Sequence, residues 1–385
     1  MKKQSFTYSR KPKFGMRKLS IGLASCMLGM MFLTTGHTSA ADDTGHVGED
    51  ITVVPEQQEL YGGYNQRLKD IEDFYAERQA DHVRYTKWLD GVNVSENEFR
   101  KVVDGEAVYW AAPLKNDRGY YDINKDFNQD SDKCSAAVAA NMFHYWLDKN
   151  KDNIARFMQQ KLGEHGVIKL QDTTINLSDF LNTYESDTGY RDKSKLFDFI
   201  SNNFSGPVWT DKLLDAYING YGYNHKWERN TEDSKRNTSK INFFKEVFNA
   251  KLLTNVYSIE NQNEFSDFLR EALYTGKAVG LSYGPVGLRA ALGHIISVWG
   301  ADLDEKGNVV AVYVTDSDDK KITIGEEKER IGLKRYKVST DEQGRVRLTA
   351  YGTTQNTGGQ LRRIYTLDTG KYIWADYFNN PEKAK

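Results

Sequence analysis

Cys134 is one of two cysteines in the 385-residue chain, and the other, Cys26, lies in an N-terminal apolar run that reads as an export signal. With that leader removed, Cys134 has no partner for a disulfide in the same chain. An unpaired thiol in an oxidising space invites oxidation and unwanted dimers, so a reactive role accounts for it better than burial as a small hydrophobe. A thiol attacks a carbonyl as its thiolate. Cys134 sits in the first turn of the strongly helical, largely apolar run 135–148, where the positive end of a helix lowers a thiol pKa.

A thiolate nucleophile also needs a general base, and six of the seven histidines follow the leader. His144 lies ten residues along the same helix, about 15 Å away at 1.5 Å rise per residue, and cannot serve. His294 opens the β-branched run His294-Ile295-Ile296-Ser297-Val298-Trp299, where a strand anchors the backbone and the ring can face a cleft. A satisfied core histidine is the alternative. The next strand follows a turn, Asp304-Glu305-Lys306-Gly307-Asn308. A turn centred on Glu305 places Asp316 directly opposite His294, and Asp318, two residues on, projects from the same face. Either carboxylate can fix the imidazole tautomer and stabilise the imidazolium, as the third member of a Cys-His-Asp triad does. The oxyanion that forms on attack needs donors. The Cys134 amide is one candidate, and Lys125 and Gln129 upstream are candidates for the second.

The elements that must position these groups follow from periodicity. Residues 1–40 carry a basic stretch (Lys2, Lys3, Arg10, Lys11, Lys13, Arg17, Lys18), the apolar run Ile21 to Leu33 and the small residues Thr38-Ser39-Ala40, the pattern of a signal peptide. Tyr8-Ser9-Arg10-Lys11 followed by Gly22-Leu23-Ala24-Ser25 resembles the YSIRK-type signals of streptococci and staphylococci, which implies a Gram-positive exporter and a secreted, extracellular product. The polar end from Asp376 to Lys385 shows no sorting motif or apolar tail, so a released protein with no membrane attachment after signal removal is expected.

Residues 41–82 form an N-terminal extension: a flexible acidic lead-in over 41–59, then an amphipathic helix over about 64–80 from Tyr64, Leu68, Ile71 and Tyr75. That helix can dock on the domain or contact a partner. Residues 83–380 form the catalytic domain. Asp130, Ser131 and Asp132 offer caps for the helix of Cys134. Further helices are expected around Leu196 to Ile200, Leu213 to Ile218 and Phe265 to Leu273, with a charged loop over 227–240. From Ala278 the pattern turns to strands: Ala278 to Tyr283, His294 to Trp299, Val309 to Thr315, Ile322 to Ile324, Leu333 to Val338 and Arg345 to Tyr351, mostly antiparallel. A helical first half and a sheet second half around one cleft is the layout of a papain-like α+β fold.

The formal charge of −2, without basic runs interleaved with aromatics, argues against a nucleic-acid partner, and no cofactor motif is present.

Several stretches resemble the secreted streptococcal IgG-degrading cysteine endopeptidases (IdeS/Mac). They are Gly119-Tyr-Tyr-Asp-Ile-Asn-Lys-Asp-Phe-Asn128, Cys134 to Lys149, Leu214-Asp-Ala-Tyr-Ile-Asn-Gly-Tyr221, Gly276-Lys-Ala-Val-Gly-Leu-Ser282, His294 to Asp302 and Ala311-Val-Tyr-Val-Thr-Asp-Ser-Asp318. The resemblance implies a papain-like protease with Cys134 as nucleophile, His294 as base, Asp316 and Asp318 as supporting acids and Lys125 at the oxyanion hole. It implies a host immunoglobulin as substrate, the IgG heavy chain cut near the hinge, in immune evasion. Ser135 stands where the IgG enzyme has glycine, the Arg-Gly-Asp tripeptide before Leu252-Leu253 is missing, and the N-terminal extension is longer. IgM or another antibody class is therefore an open alternative, as are a peptidoglycan amidase or endopeptidase and a non-catalytic antibody binder.

Overall fold

Six antiparallel strands close on themselves behind the residues singled out above. The strands, in chain order, are β1 Tyr85–Trp88, β2 Arg100–Asp104, β3 Ala107–Pro113, β4 Val167–Lys169, β5 Thr174–Asn176, β6 Thr254–Ser258, β7 Ala278–Gly284, β8 His294–Leu303, β9 Val309–Thr315, β10 Thr323–Ile324, β11 Glu329–Thr340, β12 Val346–Leu348 and β13 Gly359–Leu367. The ring runs β7, β8, β9, β11, β12, β13 and back to β7, each pair antiparallel. β1 adds to β8, β6 to β13, β10 to β11, and the hairpin β2–β3 to β11. This computed structural model describes residues 55–380 apart from 105–106, 116–117, 126–132, 170–173, 182–193, 204–207, 221–241, 249–250, 285–292, 320–322, 325–327 and 350–358. The expected leader 1–40, the charged loop 227–240, and Gln129, Asp130, Ser131 and Asp132 lie outside the described residues.

The helices are α1 Pro55–Ala80, α2 Cys134–Lys149, α3 Lys151–Phe157, α4 Ser178–Leu181, α5 Lys195–Asn203, α6 Thr210–Asn219, α7 Lys245–Phe248, α8 Gln262–Thr275 and α9 Lys371–Asn379. α2 is buried on every face from Ala136 to Leu147. Its alanines let it lie close against β7 and β8, and a Cβ at Gly280 of β7 would come within 3.0 Å of Val138 and 3.4 Å of the Met142 sulfur. Lys133 occupies its N-cap position and makes no side-chain cap bond.

Three expectations change. The first half is not only helical: β1–β3 precede α2, because Val102, Tyr109, Trp110 and Ala111 are buried in short alternating segments that the helix-rich middle obscures. The expected lead-in over 41–59 runs into helix from Pro55, a residue preset for a first helical turn. And α1 does not dock by its expected apolar stripe, since Leu68 and Tyr75 are 42% and 45% exposed. Its buried face is Asp70, Phe74, Arg78 and then Asp81.

That face is polar because its groove supplies the counter-charges. Fully buried Arg335 of β11 donates Nη2 to Asp81 at 2.9 Å and Nε to Asp302 of β8 at 2.8 Å, and Arg78 pairs with Glu96. Phe74 stacks on Phe99 with centroids 5.0 Å apart and lies edge-on to Trp110. Burying one such ring stabilises by about 1.5–3 kcal/mol. The last turns of α1, set apart from the sequence as an extension, are thus built into the core.

Candidate active site

The site assembles where the first residue of α2 meets the first residue of β8 and the turn after β9. Cys134 is half-buried, and its thiol is hydrogen-bonded to His294, with the Ile295 backbone N–H also directed at it. His294 Nε2 lies 2.6 Å from Asp316 Oδ1 and 3.9 Å from Asp318 Oδ2. Tyr283, paired with His294 across the β7–β8 ladder, stands edge-on to the imidazole at 5.7 Å and 90°.

The register that brings Asp316 to His294 differs from the expected one. The turn is centred on Lys306: Asp304 Oδ1 accepts the N–H groups of Lys306 and Asn308, and Gly307 takes the left-handed conformation with φ 82°. Two irregularities along the ladder, at Asp302/Leu303 and Val298/Gly300, cancel, so that Ser297 opposes Thr315, a two-residue offset that, continued, would set Asp318 opposite His294. The ladder stops at Thr315 instead, and the chain turns, with Asp319 N–H donating to the Asp316 carbonyl at 3.1 Å and Asp318 N–H to Asp316 Oδ1 at 3.1 Å. Side chains alternate with a period of two, so a two-residue slip keeps the same face, and the turn folds Asp316 back onto the ring.

Lys125 reaches the same point by another route. Its N–H donates to the Ser317 carbonyl at 2.9 Å and its Nζ lies 2.9 Å from Asp318 Oδ1. The segment that carries it is held by Ile123 N–H to Asn141 Oδ1 of α2 at 3.1 Å, by Asn141 Nδ2 to Ser297 of β8 at 3.1 Å, and by the Thr315 hydroxyl to the Tyr121 carbonyl at 3.0 Å. Cys134, His294, Asp316, Asp318 and Lys125 are thus brought together. His144, set aside as too distant, is buried and stacked on Tyr121.

Electrostatics favour a thiolate beside an imidazolium. Burial alone would push the Cys134 thiol up, but the His294 hydrogen bond and charge, with Lys125, hold it below the ordinary thiol value. Burial opposes charge on His294, yet the Asp316 carboxylate, the Cys134 contact and Asp318 keep it protonated well above the usual imidazole range. Asp316, likewise against its burial, is held well below the usual carboxylate range by Lys334, His294 and the Asp318 amide. Such an ion pair is a nucleophile poised to attack a carbonyl carbon.

His294, Asp316 and Asp318 offer ligand atoms within 4.8 Å of one another, a spacing a metal ion could use. Lys125 and Lys334 already pair with two of these carboxylates, and a cation would have to compete with both.

Sequence reasoning missed the residues behind the triad. Lys334 of β11 is 3% exposed and reaches Asp316 Oδ2 at 3.3 Å and Asp319 Oδ1 at 2.7 Å; Asp122 is fully buried nearby. A lysine alternating with Leu333 reads as the solvent face of a strand. Here β3 and β9 flank it on both sides, pairing it with Ala111 and Val314, and both faces of β11 are covered.

Among the described residues no helix is long and apolar enough to cross a membrane. A curated relative, described as the IgM protease of Streptococcus suis (strain P1/7), is 32% identical over 318 residues, 80% of this chain and 27% of the relative. The chain therefore spans about a quarter of that relative's length. Residues 73–374 match the Mac-1 (Mac 1) family, a stretch that begins inside α1 and holds every residue of the cluster around Cys134, and the chain belongs to that family.

Proposed function

We propose that the chain is a papain-like cysteine endopeptidase that cuts an immunoglobulin heavy chain outside the exporting cell, with IgM rather than IgG the first class to test. The observation that carries the reaction type is the chain of contacts Cys134–His294–Asp316, with the thiol at the start of a buried helix. The antibody class draws its support from the relative described as an IgM protease and from the departures at Ser135 and before Leu252.

In this mechanism Nε2 of His294 is held by Asp316, which leaves Nδ1 to exchange a proton with the thiol. The Cys134 thiolate adds to the scissile carbonyl carbon, and the oxygen takes up negative charge opposite the Cys134 amide and the Lys125 ammonium. The imidazolium gives its proton to the leaving amine as the C–N bond breaks, leaving a thioester. His294 then takes a proton from water, whose oxygen attacks the thioester, and Cys134 leaves as the thiolate.

Incubation with purified IgM, IgG and IgA, with fragments read on a reducing gel, tests the proposal. Cleavage of an immunoglobulin heavy chain that disappears in Cys134→Ser supports it. Intact heavy chains in every class reject the substrate, and cleavage that survives Cys134→Ser rejects the cysteine mechanism.

A further inference from the structure

We infer that Lys334 is a positioning residue for this reaction: its ammonium, buried behind the triad and shared between Asp316 and Asp319, selects Asp316 as the ionised partner of His294 and fixes the plane of its carboxylate. The inference rests on the cysteine-protease reading of the site.

Geometry carries it. The two oxygens of Asp316 are divided between two cations, Oδ1 at 2.6 Å from His294 Nε2 and Oδ2 at 3.3 Å from Lys334 Nζ. A carboxylate held at both oxygens cannot swing away from the ring when His294 gains or loses its proton. Lys334 is itself fixed at 2.7 Å by Asp319 Oδ1 and lies over the rings of Tyr109 at 5.6 Å and Tyr336 at 5.1 Å.

A buried lysine is costly to desolvate and persists only where partners offset that cost. Three carboxyl groups are buried here, Asp122, Asp316 and Asp319, at 0%, 2% and 3% exposure. Lys334 and His294 are the cations that touch Asp316, and Arg330 acts on Asp122, yet the three carboxyls still press on one another when charged. Asp122 is pushed well up by burial and then by Asp319, and Asp319 is pushed by burial up to about 7 against the pull of Lys334. Asp316, touching both cations, is the one held low. The other charged or titratable groups facing this cluster are Asp318 and Lys125 on the Cys134 side, Arg330 on β11, and the tyrosines Tyr109 and Tyr336.

Removing the ammonium raises the Asp316 pKa and frees one of its oxygens, so the imidazolium that faces the Cys134 thiolate is held less well. The test compares Lys334→Met, Lys334→Gln and Lys334→Arg with the full chain. The rate of thiol alkylation by iodoacetamide is followed from about pH 4 to 9, and kcat and KM for IgM heavy-chain cleavage are measured separately. The lower edge of the alkylation profile should move up by about one pH unit in the neutral variants. Their kcat should fall about ten- to hundredfold with KM within about twofold, and Arg should restore most of both. Gln, which can still hydrogen-bond both carboxylates, serves where Met does not fold. A folded neutral variant whose alkylation profile superimposes on that of the unaltered chain overturns the role, whatever its Tm. Cys134→Ser in the same assay keeps the two questions apart: if cleavage survives it, or the unaltered chain cuts nothing, the protease reading fails, and the positioning role is then decided by the alkylation profile alone.

Discussion

His294 and Asp316 touch at 2.6 Å although the ladder that joins β8 and β9 does not pair them. The ladder aims Asp318 at the histidine, and the turn after Thr315 substitutes Asp316. Asp318, at 3.9 Å from the ring and bound to Lys125, is left as a second, more exposed carboxylate. This division of labour sets the order of the mutational effects.

Asp316→Asn should cost far more than Asp318→Asn. An amide at 316 cannot hold the imidazolium and can favour the wrong tautomer, a loss of about 10³–10⁴ in kcat. Asp318→Asn removes a longer contact and should cost about tenfold, in line with a partly exposed charge pair. Steady-state kinetics on the two variants check the order, and a larger loss at 318 contradicts it.

The same contact makes stability depend on pH at both ends. The stabilisation from His294, whose folded pKa is raised, is complete below its unfolded value near about 6.5 and is lost as pH rises through the folded value. That from Asp316, whose folded pKa is depressed, is present above its unfolded value near about 4 and is lost as pH falls through the folded value. The Tm gap between the unaltered chain and Asp316→Asn should therefore be widest between about pH 4 and 6.5 and narrow on either side. Thermal melts across pH show this, and a gap that keeps growing above that window contradicts it.

His294→Ala should move the alkylation profile of Cys134 upward, past the ordinary thiol value, because burial remains and the largest opposing influence is gone. At neutral pH the alkylation rate should drop by about tenfold or more. An unchanged profile would mean that the helix and Lys125 alone activate the thiol.

Lys125→Ala should lower kcat by about 10²–10³ and leave KM nearly unchanged, since its charge meets an oxyanion that exists only in the transition state. An equal rise in KM would point instead to a substrate contact.

Within α1 the consequences split along the chain. A chain starting at Asp70 should melt within about 2 °C of one starting at Gln66, because the four residues removed, Gln66 to Lys69, are exposed. Phe74→Ala should cost about 3–5 kcal/mol, and Arg335→Ala a similar amount, by taking the shared buried cation from Asp81 and Asp302 and leaving them only Lys337 and the more distant Arg78. Denaturant unfolding of these variants measures both, and a Phe74→Ala cost below about 1 kcal/mol would mean that α1 is only a strut.

Much of the site was legible because its signals are local. A cysteine whose one possible partner lies in the expected leader, an apolar helix beginning at it, a histidine opening a strand and an acid after the next strand are properties of short segments and of their order. The expected register is two residues off, and the contact of His294 with Asp316 holds because a slip of two residues keeps the face and the turn after Thr315 folds Asp316 back onto the ring. Other features were decided only by tertiary structure. The docking face of α1 is polar, and no periodicity marks it, because its partners Arg335 and Asp302 lie more than two hundred residues away in sequence. Lys334 became a buried cation only because β3 and β9 close over both edges of β11, and its partner Asp316 reached it only because the ladder ended one residue earlier. Burial and the pairing of charges across distant strands are settled by how the sheet closes, and single-segment patterns carry no information about that closure.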